Sequence, residues 1–171
     1  LYVSHAVEEV ARLAATVVKL EAGRVVASGP PAEGLGPTSL KKSAERFEAI
    51  SILTAPVKQH LADYGVTVLS HPAGDIIVPG RLETSDGLAR VVISATQVTL
   101  SVGSPGNISV RTLLTGVVTN LEVDSGPFAL ATLRLTGGDT LQAYTTRLAT
   151  DSLGLDIGDT VQALVKAVSI D

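Results

Sequence analysis

The stretch of sequence that decides the fold reads FALATLRLTGGDTLQAYTT and covers residues 128–146. Apolar and polar residues alternate on both sides of Gly137 and Gly138, which is the pattern of two antiparallel strands joined by a tight turn. The predicted apolar face holds Leu133, Leu135, Leu141 and Ala143, and the opposite face holds Thr132, Arg134, Gln142 and Tyr144. We therefore expect a β-hairpin with one buried face.

Similar strand patterns lie on both sides of this hairpin and are separated by turns rich in Gly, Pro, Asp and Ser. Val, Ile, Leu and Thr are abundant while only 3% of the residues are aromatic, a mix that favours strands. From residue 50 onwards we expect only strands and turns, in successive sets of short strands. They predict two OB-like β-barrels, of residues 49–105 and 106–171.

The residues before these barrels have a different pattern. In residues 1–29, Val7, Val10, Ala11 and Ala14 are spaced as the buried stripe of a short helix, and two strand runs follow it. Residues 30–48 begin as a linker rich in Gly and Pro and end in a short helix. The predicted class is mainly β, with a short α/β start.

Composition excludes several functions. A formal net charge of -4 gives no broad positive field for nucleic acid. The chain has no Cys and its three His are far apart in sequence, so we expect no metal site. No apolar run approaches the roughly 20 residues that a membrane span needs, and no signal segment is recognisable. We expect a cytoplasmic piece of a longer protein.

A few polar residues are candidates for binding an anion. Ser109 and Arg111 alternate with Ile108 and Val110, so both would point to the same side of a strand and could converge on an oxyanion. The alternative is that both simply face water. Lys166 interrupts an apolar run and could reach an anion, or it could protect an edge strand. Thr146 lies in a turn and could donate its hydroxyl, as polar turn residues often do without a function.

His5 ends a predicted strand and precedes a helix, where it could reach a phosphate held by another part of a larger protein or serve as a cap. The sequence contains no P-loop, no dinucleotide-binding glycine motif, no zinc-protease motif and no nucleophile elbow. We therefore expect no complete active site in this chain.

Two groups of motifs resemble parts of one protein family. YVSHAVEEVARLA at 2–14 and VKLEAGRVVASG at 18–29 are similar to the last part of an ABC-transporter ATPase domain. Most of the remainder is similar to the regulatory domain of molybdate-importing ABC ATPases, which is of the TOBE or molbindin type. The motifs that carry this second similarity are VVISA at 91–95, ISVR at 108–111, LGL at 153–155 and ALVKAV at 163–168.

The resemblance implies a parent protein that dimerises, binds ATP and Mg between its subunits, and drives a membrane permease fed by a periplasmic molybdate-binding protein. It implies a place at the cytoplasmic face of the inner membrane, bound through the permease. His5 stands at the family's switch histidine, which contacts the γ-phosphate. Because the P-loop, the signature motif and the catalytic glutamate are missing, this chain is not expected to be an enzyme by itself.

The resemblance also implies a molybdate or tungstate site at an interface between barrels. Ser109, Arg111, Thr146 and Lys166 stand at the family's anion-binding positions. Two positions depart from the pattern: Thr112 replaces Asn, and Ala149 replaces Ser. The implied function is regulation and homodimerisation of a molybdate importer's ATP-binding subunit. The alternative is a purely structural dimerisation module, as in sulfate or sugar importers. An oxyanion storage protein or a molybdate-responsive repressor fits less well, because residues 1–29 resemble an ATPase.

Overall fold

A computed structural model describes residues 1–4, 6–35, 49–123 and 125–166 of this chain. His5 and the helix predicted around Leu40, Ala44 and Phe47 lie outside the described residues. The helices are α1 (Val7–Leu13), α2 (Pro31–Gly34) and α3 (Arg147–Leu153). The strands are β1 (Val17–Glu21), β2 (Arg24–Gly29), β3 (Ile50–Leu61), β4 (Val66–Leu69), β5 (Ile76–Pro79), β6 (Leu88–Ser94), β7 (Val98–Ser101), β8 (Thr112–Val123), β9 (Phe128–Leu135), β10 (Thr140–Thr146) and β11 (Thr160–Val165).

The α/β start is confirmed. Strands β1 and β2 form an antiparallel hairpin whose turn residues, Ala22 and Gly23, both have positive φ, as a tight two-residue hairpin turn requires. Helix α1 buries Ala11 against Ile50 and Val92. The guanidinium of Arg90 donates to the carbonyl oxygens of Ala11 and Ala14 at 3.4 and 3.2 Å, which satisfies acceptors that the helix end leaves open. The start of the chain is thereby attached to the first large sheet.

The mainly β class with two curled sheets is also confirmed. The first large sheet is antiparallel with the order β5-β4-β3-β6, and the second has the order β10-β9-β8-β11-β7. Strand β7 precedes residue 105 in the chain, yet it pairs with β11, with Val98 opposite Val165. The boundary between residues 105 and 106 therefore remains a prediction. Strand β7 comes from the first predicted barrel in sequence but belongs to the second sheet.

One apolar core lies between the two sheets. Leu53, Leu69 and Ile76 of the first sheet are fully buried in the same cluster as Leu114 and Leu133 of the second. Burying a side chain of this size stabilises the fold by roughly 1.5–3 kcal/mol. The two sheets consequently depend on each other for burial.

Three local expectations were wrong. A 3₁₀ turn, Ala95–Gln97, interrupts the strand predicted through this region, and a capping box between Ser94 and Gln97 stabilises it. Helix α3 lies where only strands and turns were expected. Gln142 lies opposite Thr132 on the face predicted for it, but it is only 1% exposed; its backbone N–H donates to Ser51 Oγ of β3, and its side-chain amide donates to Thr132 Oγ1 at 3.4 Å. The predicted hairpin is confirmed, and Leu133 lies opposite Leu141 in it.

The loop between β4 and β5 packs tightly on the second sheet. Its Gly74 approaches Leu113 so closely that a Cβ would lie 2.1 Å from the Leu113 carbonyl oxygen, and Thr115 donates its N–H to the Ala73 oxygen at 2.9 Å. His71 accepts the Ala73 N–H at Nδ1, so the neutral ring carries its proton at Nε2 and donates it to Asp139 Oδ2 at 3.1 Å. This loop connects the first sheet to the beginning of β8.

Candidate functional site

Arg111 and Lys166 both adjoin one end of the second sheet. The last residue pair between β8 and β11 is Thr112 opposite Val165, so Arg111 directly precedes one member of this pair and Lys166 directly follows the other. Thr112 and Val165 are buried whereas Arg111 and Lys166 are exposed, so both cationic residues are open to solvent.

Ser109 and Arg111 lie in an irregular segment and not in the strand that their alternation predicted, because β8 begins only at Thr112. The guanidinium of Arg111 donates through Nη2 to the Ile108 carbonyl oxygen, which closes this segment on itself. Ser109 and Arg111 are exposed while Ile108 and Val110 are half-buried, so the predicted division of faces is nevertheless kept.

Neither cation of this pair has a carboxylate partner among the residues that the structure describes. Ion pairs in that part of the chain join Lys58 to Asp75 and Arg81 to Glu83, and His71 donates a hydrogen bond to Asp139. Adjacent cations without a counterion attract an anion, and a guanidinium fork beside an ammonium suits an oxyanion with several acceptor atoms.

Thr146 lies at the end of β10, where it is the N-cap of α3. Its Oγ1 accepts the backbone N–H of Ala149 at 3.1 Å, which satisfies one of the open donors of the helix start. A hydroxyl can accept and donate at once, so its hydrogen can still be donated to an anion. Within the described residues, no hydrogen bond joins Thr146 to Arg111 or Lys166.

Contacts through the 3₁₀ turn connect the end of β11, next to Lys166, to strand β10. The Lys166 N–H donates to the Gln97 carbonyl oxygen at 3.3 Å, which continues the pairing of β11 with β7. The 3₁₀ turn that contains Gln97 packs against β10, where Ala95 shares a small apolar cluster with Leu130 and Tyr144. A path of contacts thus leads from Lys166 through this turn to the strand that ends in Thr146.

The two departures from the family pattern have structural roles. Thr112 is 2% exposed, and its Oγ1 accepts the Ile77 N–H of β5 at 2.9 Å, so its side chain faces the first sheet. Ala149 contributes its backbone N–H to the Thr146 cap, and a serine hydroxyl is not needed for that bond. Sequence reasoning did not find the role of Thr112, because the signal that identifies it is a partner 35 residues earlier in the chain.

The surroundings of His5 are partly described. Ser4 Oγ and the Tyr2 hydroxyl both donate to Glu9, each at 3.1 Å, and Ser4 Oγ accepts the Ala6 N–H. The hydrogen bond to Glu9, together with the negative charge of that carboxylate, raises the pKa of Tyr2 above its usual value. These contacts fix the backbone on both sides of position 5 at the start of α1.

The described residues hold no cluster of His, Asp and Glu suited to a metal ion. None of the helices in that part of the chain has the length and apolar character that a membrane crossing requires.

One protein-family model matches the region that contains all four candidate anion-binding residues. The family model described as "TOBE domain" matches residues 108–171. Ser109, Arg111, Thr146 and Lys166 all lie inside the residues that match the TOBE domain, whereas β7 and the 3₁₀ turn that contact this region come from the preceding residues.

Two curated relatives match the whole chain. The molybdenum import ATP-binding protein ModC of Mesorhizobium japonicum is 36% identical over 171 residues, which are 100% of this chain and 46% of the relative. ModC of Granulibacter bethesdensis is 41% identical over 182 residues, covering 100% of this chain and 48% of the relative. The resemblance to ATP-binding proteins of molybdate importers is therefore confirmed, and the chain spans about half the length of these relatives.

A solved structure is similar to about two thirds of this chain. The crystal structure of the cytoplasmic molybdate-binding protein ModG, with molybdate bound, aligns with a TM-score of 0.54 at 25% identity. The alignment covers 68% of this chain and 89% of that one. The OB-like assignment of the curled sheets is thus confirmed.

Proposed function

We propose that this chain is the regulatory and dimerisation region of the ATP-binding subunit of a molybdate or tungstate importer, with an oxyanion site in its TOBE domain. The anion is bound by four side chains at an interface between barrels: Ser109, Arg111, Thr146 and Lys166. The observation that supports the proposal is that Arg111 and Lys166 directly adjoin the last β8–β11 pair, Thr112 and Val165, and have no carboxylate partner in the described part of the chain.

A tetrahedral dianion fits this arrangement electrostatically. Arg111 supplies a planar fork of donors, Lys166 supplies a compact positive charge, and hydroxyl groups supply further donors. Without the anion, the two cations repel each other at close range. Binding removes this repulsion, so we expect molybdate to raise the thermal stability of the protein by mass action.

In this proposal, the remainder of the parent protein supplies the ATPase activity that drives transport. There, ATP and Mg bind between two ATPase domains, His5 contacts the γ-phosphate, and the dimer couples to a membrane permease at the cytoplasmic face of the inner membrane. A periplasmic molybdate-binding protein delivers the substrate to that permease. Anion binding favours one arrangement of the dimer, and by linkage this arrangement slows the attached motor.

Homodimerisation is the second part of the proposal. Leu148, Leu153 and Ile157 are exposed on or just after α3, at 76%, 38% and 65%, and a second copy can cover them. Sedimentation equilibrium at micromolar concentration measures the state of assembly. A monomer that persists at high micromolar concentration, with and without molybdate, contradicts this part.

Titration calorimetry with molybdate tests the anion site directly. Arg111→Ala removes a charge-assisted hydrogen bond worth about 1.5–3 kcal/mol, so affinity should fall by about one to two orders of magnitude. The matched control is Arg81→Ala, which removes an exposed arginine paired only with Glu83 in the first half of the described chain and should bind molybdate like the unmutated protein. If molybdate at millimolar concentration neither binds nor shifts the melting temperature of the unmutated protein, the proposed anion site is absent.

One observation favours a second candidate function, a structural dimerisation module without a ligand. Thr112 and Thr146 both use their hydroxyl oxygens for contacts within the chain, with Ile77 and Ala149. A module whose polar groups serve only its own fold would dimerise equally well with and without molybdate. The same calorimetry and sedimentation measurements separate the two functions.

A further inference from the structure

We propose that Thr112 is a positioning residue for the oxyanion site, and that through it strand β5 of the first sheet sets the place of Arg111. The inference rests on the proposed function, because it concerns the same anion. It assigns a purpose to the threonine that stands where the family pattern has asparagine.

Thr112 occupies a central place between the two cations. It directly follows Arg111 in the chain, and it is paired with Val165, the residue directly before Lys166. Its side chain is 2% exposed, and its Oγ1 accepts the Ile77 N–H of β5 at 2.9 Å. A hydrogen bond at this point therefore fixes the first residue of β8 relative to the first sheet, and with it the backbone that carries Arg111.

The contacts that follow along β8 hold the same junction. Leu113 lies against Gly74 with no room for a Cβ, and Thr115 donates its N–H to the Ala73 oxygen at 2.9 Å. At the other side of the loop, His71 donates to Asp139 at the β9–β10 turn. By contrast, the segment before Thr112 is irregular and exposed, so Thr112 is the point where the ordered junction meets the residues that bind the anion.

This arrangement couples the anion to the first sheet. If the Thr112–Ile77 hydrogen bond favours the position of Arg111 that binds molybdate, then bound molybdate must stabilise that hydrogen bond equally, because linkage is reciprocal. The Ile77 amide is thus a reporter in the first sheet for an anion bound on the second. A threonine that served only the fold would not couple its partner's amide to the anion.

The test compares three variants of the full chain at a temperature where each is folded. Thr112→Val keeps the shape of the side chain but removes the acceptor, and we expect the dissociation constant for molybdate to rise by about tenfold, the worth of one ordinary hydrogen bond. Thr112→Ser restores the hydroxyl and should bind within about twofold of the unmutated chain. Thr67→Val is the control, since it removes a buried hydroxyl that serves Gly80, Leu82 and His60 of the first half of the chain.

Hydrogen exchange of the unmutated chain is the second measurement, and it does not depend on a variant that folds. Molybdate should slow exchange of the Ile77 amide more than exchange of the other amides of the first sheet, and an Ile77 amide whose exchange is unchanged, or slowed only as much as theirs, overturns the inference. Equal loss of affinity in Thr112→Val and Thr67→Val also overturns it, because the effect then reflects stability alone. Unaltered affinity in Thr112→Val overturns the inference and leaves the proposed function standing. Failure of the unmutated chain to bind molybdate rejects both.

Discussion

At the scale of single residues, Gly74 has the least room for a side chain among the glycines that the structure describes. Its φ is +146°, and an added Cβ would lie 2.1 Å from the Leu113 carbonyl oxygen, a backbone atom that cannot rotate away. The close approach lets Ala73 accept the Thr115 N–H and brings the loop against β8. The absence of a side chain at Gly74 therefore allows the β4–β5 loop to pack on β8, the strand that directly follows Arg111.

Gly74→Ala should therefore lower the free energy of unfolding by about 3 kcal/mol, because overpacking adds to the strain of a positive φ. Urea denaturation measures the change. Gly138→Ala is the matched control: φ is +101° there, but nothing lies within 4 Å of the added Cβ, so only the strain of about 1–2 kcal/mol is expected. Similar losses in the two variants would mean that the contact with Leu113 carries no penalty.

At the scale of elements, helix α3 joins the edge of the second sheet to its return strand. Thr146 caps its start, and Gly154, with φ of 59°, ends it in the left-handed conformation. These are ordinary helix boundary signals, although the helix has only seven residues. The same threonine is a candidate anion ligand, so its roles in folding and in binding need separate variants.

Thr146→Asp separates these roles. The aspartate oxygen keeps an acceptor for the Ala149 N–H, and its charge is favourable at the start of a helix, so the free energy of unfolding should change by less than about 1 kcal/mol. The same charge repels a dianion, so titration calorimetry should detect no molybdate binding. Thr146→Val loses the cap and should be less stable by about 1 kcal/mol. An aspartate variant that binds molybdate normally would exclude Thr146 from the site.

At the scale of the whole molecule, the two large sheets share one core and one exchanged strand. Leu114 lies on β8 and is fully buried in the cluster that also contains Leu69 and Ile76 of the first sheet. Strand β7 leaves the first half of the chain to pair with β11. Neither sheet can therefore lose its structure without exposing apolar surface of the other.

We expect the two sheets to unfold in a single transition, with equal calorimetric and van't Hoff enthalpies. Leu114→Ala should lower the free energy of unfolding by about 3 kcal/mol and shift that one transition as a whole. Val117→Ala on the same strand is the control, because Val117 is 39% exposed and its truncation should cost less than about 0.5 kcal/mol. Two separate calorimetric transitions, of which Leu114→Ala shifts only one, would contradict a shared core.

The sequence by itself determined the β9–β10 hairpin, the α/β start and the family resemblance, but not α3 or the 3₁₀ turn. Alternation in residues 128–146 and the turn at Gly137 and Gly138 predict the hairpin and its buried face, since both signals act between near neighbours. The resemblance also identified the residues at the family's anion-binding positions. It could not place them relative to one another, because spacing along a chain carries no information about which strands will pair.

Only the tertiary structure decided the partners across the molecule. It paired β7 with β11, buried Gln142 under Ser51, and joined Thr112 to Ile77, whose positions are separated by 35 residues or more. A strand's own pattern records which face is apolar, but its hydrogen-bond partner depends on which surfaces are buried together. Arg111 and Lys166 adjoin the same strand pair for that reason: Thr112 lies opposite Val165 through the register between β8 and β11, which non-local packing selects.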